Sequence, residues 1–331
     1  MKRLICLLLT MLLLAGCAGK NTEETTMTKT QTPTAPTFDK DLTGKRALFV
    51  GDSFLFTGRA VLLNKETTEE GRRFDTGYFY QLCKAKGFPD VEVVNWTYGG
   101  TGLKAIMSSY VPLFRDYNYD YVILSGGRNS ANKIADLEET LDQYIAVFRG
   151  ANPNVKFFYL VTSGAHNISV KESFSMDVLN NLEKIEAKGI TVLDWGKLVA
   201  DIIRGETQVP GSTYTYDKYS FVHNKSYSDG FHPNQLSGYI VSMFVYCAIT
   251  GESAVGLPYD FWDRSDLHKQ FDPTVYANTN YTLGPSNYQD IFNSPADMEG
   301  LQKLVDQYMA EKAFLTYNFT EVPVNPENNI Q

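Results

Sequence analysis

Short apolar runs and helical repeats alternate along most of this chain. Ala47-Leu48-Phe49-Val50 is closed by Gly51, the pattern of a buried strand. Phe79, Leu82 and Cys83 then recur at helical spacing. Val91 to Trp96 reads as a second strand, closed by Gly99 and Gly100. Leu103 to Phe114 reads as a helix and Tyr119 to Leu124 as a third strand. Leu137, Leu141, Tyr144, Ile145 and Phe148 fall on one helical face. Val155 to Val161 is the fourth strand. Val178, Leu179, Leu182 and Ile185 mark a helix stopped by Gly189, and Ile190 to Leu193 is the fifth strand. Apolar strands each followed by a helix predict an α/β three-layer sandwich, with a parallel central sheet of about five strands covered on both faces. In such sheets ligands bind beyond the carboxyl ends of the strands. The polar residues at those ends are therefore the candidates for chemistry.

Leu236 to Ile249 predicts one more helix, bounded by Pro233 and Gly251, with Pro233 suited to its first turn. From Gly251 to Pro295 no periodicity is clear, and a last helix is expected from Met298 to Phe314. Residues 43–252 are expected to form the core. Residues 253–331 are expected as a C-terminal extension that packs on the core or forms a lid.

Lys2 and Arg3 precede an apolar stretch, Leu4 to Leu14. A membrane-crossing helix needs ~20 residues, so this stretch is too short for one and has the length of a signal-peptide core. Leu14-Ala15-Gly16-Cys17 resembles the lipobox of bacterial lipoproteins. That resemblance implies that residues 1–17 are a signal peptide ending at a lipidated Cys17. The protein is then expected to be exported and lipid-anchored at the bacterial cell membrane or outer membrane. Asn21 to Pro36 is polar and rich in Thr and Pro, so residues 18–42 are expected to be a flexible tether. Cys83 and Cys247 lie in apolar helical patterns and are expected to be buried free thiols.

The 331 residues carry 30 Lys and Arg against 38 Asp and Glu, a net charge of −8. That balance excludes a basic nucleic-acid binder. The only four histidines are His166, His223, His232 and His268, too few for a histidine-rich metal site. No metal or cofactor is expected.

The first strand runs into Gly51-Asp52-Ser53. A serine directly after a strand sits on backbone that the sheet fixes, with Gly51 permitting a tight turn, so Ser53 is a candidate nucleophile or a capping serine. In Asp229-Gly230-Phe231-His232-Pro233, the aspartate can reach the imidazole through one turn of chain. It would hold one ring nitrogen and leave the other to take the serine proton. An Asp-Gly turn beside an ordinary histidine has the same spelling. Acyl transfer also needs donors for the oxyanion. Gly100 after the second strand, Asn129 after the third, and the Ser53 N–H could supply them, although Gly99-Gly100 and Asn129 are also turn residues.

These blocks, in this order, resemble the SGNH or GDSL-type hydrolase superfamily, over roughly Lys45 to Gly251. Gly51-Asp52-Ser53 matches its first block, and Gly100 its second, with Gly99 the other register. Gly127-Arg128-Asn129-Ser130 matches its third, with Ser130 where the family usually has Asp. Asp229 and His232 match its fifth. Asn234-Gln235-Leu236-Ser237-Gly238-Tyr239 and Ala254-Val255-Gly256-Leu257 resemble an uncharacterised bacterial branch. The resemblance implies a flavodoxin-like SGNH hydrolase fold and a serine esterase with Ser53, Asp229 and His232 as catalytic residues. Ser53, Gly100 and Asn129 would form its oxyanion hole.

Trp96 and Tyr98 beside the oxyanion glycine could stack on sugar rings or serve only in packing. Arg128 could bind an acidic group or pair with Asp136, and His166 sits on the ligand side. A carbohydrate O-acetyl esterase is the leading expectation. The alternatives are a carboxylesterase or lysophospholipase-like enzyme on other small esters, and a non-catalytic surface glycan-binding protein.

Overall fold

The computed structural model describes residues 37–62, 72–126, 133–162, 176–222, 232–261 and 288–311. Its centre is one sheet of β1 (Arg46–Gly51), β2 (Glu92–Thr97), β3 (Tyr121–Gly126), β4 (Lys156–Val161) and β5 (Ile190–Leu193). The strand order is β2-β1-β3-β4-β5, and every pairing is parallel. The strands are mostly apolar, with polar residues chiefly at their ends, because both sheet faces are covered. Alternation sends Ala47, Phe49, Val93, Tyr121 and Ile123 to one face. It sends Leu48, Val50, Val94, Trp96, Val122 and Leu124 to the other.

The helices are α1 (Ser53–Phe56), α2 (Tyr78–Ala85), α3 (Leu103–Ser109), α4 (Ile134–Ala151), α5 (Met176–Leu179), α6 (Leu182–Ala187), α7 (Trp195–Arg204), α8 (Gln235–Thr250), α9 (Tyr288–Asn293) and α10 (Pro295–Glu311). Side chains of α2, α7, α8 and α10 cover the first face. Those of α3, α4, α5 and α6 cover the second. α8 is the centre of the first layer and is buried almost throughout. Each fully buried Leu, Ile, Val or Phe contributes roughly 1.5–3 kcal/mol. Leu236, Ile240, Val241, Phe244, Val245 and Ile249 therefore make α8 the main apolar support of that layer.

Several expectations change. The helix expected from Leu103 to Phe114 ends at Ser109 and gives way to a 3₁₀ turn, Val111–Leu113. Pro112 has no N–H to continue the α-helix. The helix expected across Val178 to Ile185 is two short helices. Asn181, between them, donates from its side chain to the Asp177 carbonyl (2.7 Å), a local bond that competes with the helical ladder. α7 follows β5 directly and was not expected. Residues 38–42, expected within the tether, are tied down. The Asp39 N–H donates to the Ile249 carbonyl (2.8 Å), and its carboxylate accepts from Tyr121 Oη (2.9 Å) and Lys156 Nζ (2.8 Å). All the elements belong to one compact unit, which begins at Phe38.

The described part of the C-terminal extension packs on the core. Asp297 of α10 is buried and accepts from Tyr216 Oη (2.7 Å), Ser212 and Ser294. Gln302 donates to the Leu257 carbonyl (2.7 Å) and to Tyr239 Oη (3.1 Å). Cys83 and Cys247 are buried free thiols.

Candidate active site

β1 delivers Ser53 to the carboxyl edge of the sheet. Gly51 is still strand; its role is close approach to β3, since a Cβ there would lie 2.7 Å from Ser125 Cβ. Asp52 caps α1 and accepts from the Phe54 N–H at 3.0 Å. Phe54, Leu55 and Phe56 are buried and pull the short helix onto the core, while Ser53 between Asp52 and Phe54 stays part-exposed. Its hydroxyl is thus presented outward on an otherwise buried turn.

His232 arrives on the chain entering α8. Pro233 does not start that helix, as expected from sequence; it pairs with Val222 in an isolated bridge, and Asn234 is the cap. Asn234 Oδ1 accepts from the N–H groups of Leu236 (3.0 Å) and Ser237 (3.3 Å), and Nδ2 donates to the Ser220 carbonyl (2.9 Å). Ser237 Oγ donates to the Phe221 carbonyl at 2.6 Å. These bonds hold the helix start against residues 220–222, so the segment bearing His232 is fixed within two residues of the ring. The Phe54 ring lies 5.7 Å from the imidazole, centre to centre.

Ser53 Oγ and His232 Nε2 are 2.7 Å apart. In the tautomer with its proton on Nδ1, Nε2 accepts the serine hydroxyl, the arrangement of a nucleophile and its base. A glycine contact sets how closely the two segments meet. A Cβ on Gly238 of α8 would fall 1.6 Å from the Gly58 carbonyl oxygen, and one on Gly58 would fall 2.9 Å from the Asn234 carbonyl oxygen. Gly58 was not picked out from the sequence, and Gly238 only as one member of the Asn234-to-Tyr239 run; two separated glycines carry no local pattern of contact. Burial pushes the Asp52 carboxyl up to about 6, against the opposing pull of the Phe54 N–H and of positive charge on His232.

Beyond β2, the Tyr98 N–H donates to the Gly51 carbonyl at 2.9 Å and ties the next loop to the strand that carries Ser53. Gly99 and Gly100 are exposed, and Gly100 has φ +71°, a backbone state that favours glycine. Among the described residues, the Gly100 N–H donates to no backbone carbonyl. Tyr98 is part-exposed and stacks on Tyr110 with ring centres 3.7 Å apart. Trp96 cannot stack on a substrate: it is fully buried, on the opposite sheet face, with its ring 4.0 Å from Phe114. Because β2 is covered on both sides, its apolar residues gave no sign of which face Trp96 would take.

Asp229, Asn129, Arg128, His166 and Cys17 lie outside the described residues. Among the described residues, no group of three or more His, Cys, Asp and Glu side chains could hold a metal ion. None of their helices is long and apolar enough to cross a membrane.

No family model matches the chain. No curated protein matches it either. Solved structures do. One is described as LAE5, an alpha/beta hydrolase enzyme from the metagenome of Lake Arreo, Spain, at 17% identity and TM-score 0.44, covering 63% of this chain and 97% of that one. A DUF4886 family protein from Bacteroides uniformis is 11% identical with TM-score 0.43, covering 84% of this chain and 98% of that one. A catalytic mutant of an acetylxylan esterase from Geobacillus stearothermophilus is 19% identical with TM-score 0.40, covering 64% and 96%.

Two sequence expectations are corrected accordingly. No family-level match supports the SGNH or GDSL-type assignment, and none of these structures is described in those terms. That assignment and the flavodoxin-like SGNH fold are therefore not carried forward; the described residues show a small, all-parallel five-stranded sheet with helices on both faces. The lipoprotein and membrane description is likewise withdrawn. Cys17 lies outside the described residues, and no finding supports those terms.

Proposed function

We propose that this chain is a serine ester hydrolase working through an acyl-enzyme, and that it removes O-acetyl groups from carbohydrate. The observation that carries the reading is the 2.7 Å approach of Ser53 Oγ to His232 Nε2 at the carboxyl edge of a parallel sheet. His232 takes the hydroxyl proton as Ser53 Oγ bonds to the ester carbonyl carbon. The carbonyl oxygen becomes an oxyanion, received by N–H donors of Ser53 and Gly100 and by the Asn129 amide. As the intermediate collapses, the bond to the sugar oxygen breaks and His232 gives that oxygen its proton. Water, deprotonated by His232, then attacks the acyl-enzyme; acetate leaves and Ser53 recovers its proton. Asp229 orients the imidazole in this scheme, three residues before it in the chain.

The carbohydrate part of the reading draws on Tyr98, a part-exposed aromatic ring next to the Gly99-Gly100 loop. Arg72 and Tyr110 cover the two faces of that ring, so a sugar would meet its edge and its phenol hydroxyl, which can hydrogen-bond sugar hydroxyls. Export belongs to the same reading and draws on the positively charged, then apolar, start of the chain.

The test is to treat the protein with a serine-directed aryl phosphonate, and to assay acetylated oligosaccharides beside short aryl esters. Stoichiometric labelling at Ser53 with acetate release from the oligosaccharides is the expected result. Turnover of aryl esters alone would replace the carbohydrate reading with a small-ester carboxylesterase. Failure of both labelling and turnover would leave a binding protein.

A further inference from the structure

β2 is one of the two edge strands of the sheet. Glu92 and Tyr98 donate their N–H groups to Lys45 and Gly51 on the β1 side. The intervening odd positions, Val93, Asn95 and Thr97, therefore turn their backbone carbonyls away from the sheet. Such an edge is normally left to water or to another chain. Here one short segment takes all three carbonyls. The Asp75 N–H donates to Val93 O at 2.9 Å. Arg72 Nη1 donates to Asn95 O at 3.1 Å and to Thr97 O at 3.3 Å.

The same guanidinium lies 4.3 Å from the centre of the Tyr98 ring. Tyr110 stacks on that ring at 3.7 Å. Two groups so close to one ring centre occupy its opposite faces, so Tyr98 is held between them. Arg72 is only 3% exposed, so these contacts are made out of water, where charge-assisted bonds and cation–π contacts are strongest. Side chains lock the strap in place. Asp75 accepts from the N–H groups of Leu62 and Gly77 (2.8 Å each) and from Asn95 Nδ2 (3.1 Å). Asn95 Oδ1 accepts the Thr97 N–H at 2.9 Å.

The last carbonyl in Arg72's grip and the ring it presses both belong to residues directly before Gly99 and Gly100. We propose that Arg72 is a positioning residue for the oxyanion hole, acting through Thr97 O and the Tyr98 ring to fix the Gly99-Gly100 loop against Ser53. This rests on the esterase reading of Ser53. Lysine replaces arginine only in part here, because an ammonium can bond the two carbonyls but has no planar group to lie flat on the ring.

The test compares Arg72→Met and Arg72→Lys with the wild-type full chain on a short aryl acetate. The aryl phosphonate is taken to complete reaction, so that turnover is expressed per labelled Ser53. Misplacing oxyanion donors by about an ångström should lower kcat per labelled site roughly 10- to 100-fold in Arg72→Met. The loss should be smaller in Arg72→Lys, with KM little changed. The pH midpoint of kcat should stay where it is, because Ser53 and His232 are untouched. A merely structural arginine would reduce the number of labelled sites and leave kcat per site alone; that result overturns the proposal. Where Arg72→Met does not fold, the per-site rate of Arg72→Lys decides in the same way, and Tyr98→Leu, which keeps both carbonyl bonds, should show a partial loss per site. A wild-type protein with neither turnover nor labelling sinks the esterase reading itself. An active wild type with unchanged variants sinks only the role of Arg72.

Discussion

The two faces of the sheet are built differently. On the face covered by α3, α4, α5 and α6, contacts are almost all apolar. Trp96, Phe114, Tyr119 and Phe148 pack ring against ring, and Tyr144 Oη closes on the Leu103 carbonyl at 3.0 Å. The face covered by α2, α7, α8 and α10 is also apolar at its centre, yet it buries Asp75, Asn95, Asp201, Asn234, Ser237, Asp297 and Gln302. The side chains of these seven residues make directional bonds to neighbouring segments. Apolar packing tolerates small slides, whereas a buried hydrogen-bond network fixes register because a broken bond inside the protein is expensive. Ser53 and His232 come from segments 179 residues apart and meet at a hydrogen-bond distance. The polar network lies on the side where that distance has to be held.

Three substitutions probe this contrast, in decreasing order of effect. Trp96→Ala on the dry face should cost roughly 3–5 kcal/mol of stability, as large aromatic truncations in cores do. Turnover per labelled Ser53 should stay within a few-fold of wild type, as read by denaturant unfolding beside active-site titration. A per-site rate that collapses with Trp96→Ala would mean the dry face also sets the catalytic geometry.

Gly238→Ala on the polar face forces a methyl group into the Gly58 carbonyl. Overpacking of this kind costs roughly 1–3 kcal/mol. The separation it drives also pulls the His232 segment from the Ser53 segment, so the rate per labelled site should fall along with the thermal midpoint. Lost stability with an intact per-site rate would show that the glycine contact does not set the Ser53–His232 distance.

The third effect is electrostatic. The Asp52 carboxyl, raised by burial from 3.8 to about 6, holds its proton more tightly in the folded chain than in the unfolded one. Its contribution to stability is therefore fully present at low pH and is lost as pH rises from about 4 to about 6. Asp52→Asn keeps an acceptor for the Phe54 N–H and does not titrate. The stability of wild type minus that of the variant should decline across this window and level off above it. A difference that is flat with pH would contradict the burial argument.

Much of the scaffold was legible in the chain. Each of the five β-strands overlaps an apolar run, because a strand covered on both faces must be mostly apolar. α7 carries an equally plain signal in Trp195, Leu198, Val199 and Ile202, but it begins directly after β5 with no turn to announce it. Ser53 and His232 were legible as a pair only by matching blocks of sequence; neither periodicity nor spacing brings together residues so far apart. Their supports were not legible. Asn234 looks like any polar residue after Pro233, and its two-sided bonding depends on residues 220–222 folding back over it. Arg72 and Asp75 lie in a stretch with no periodicity, and their partners are carbonyls, which every residue has. The one visible hint was Asn95, a polar residue inside an apolar strand.

The proposed chemistry stands or falls on Ser53 attacking an ester with His232 as its base. Hydrolysis of a short aryl acetate by wild type and by Ser53→Ala tests it without intermediaries. The expected outcome is a loss of at least ~10³-fold in kcat for the variant, with an unchanged thermal midpoint. Ser53→Ala turning over at the wild-type rate would contradict it.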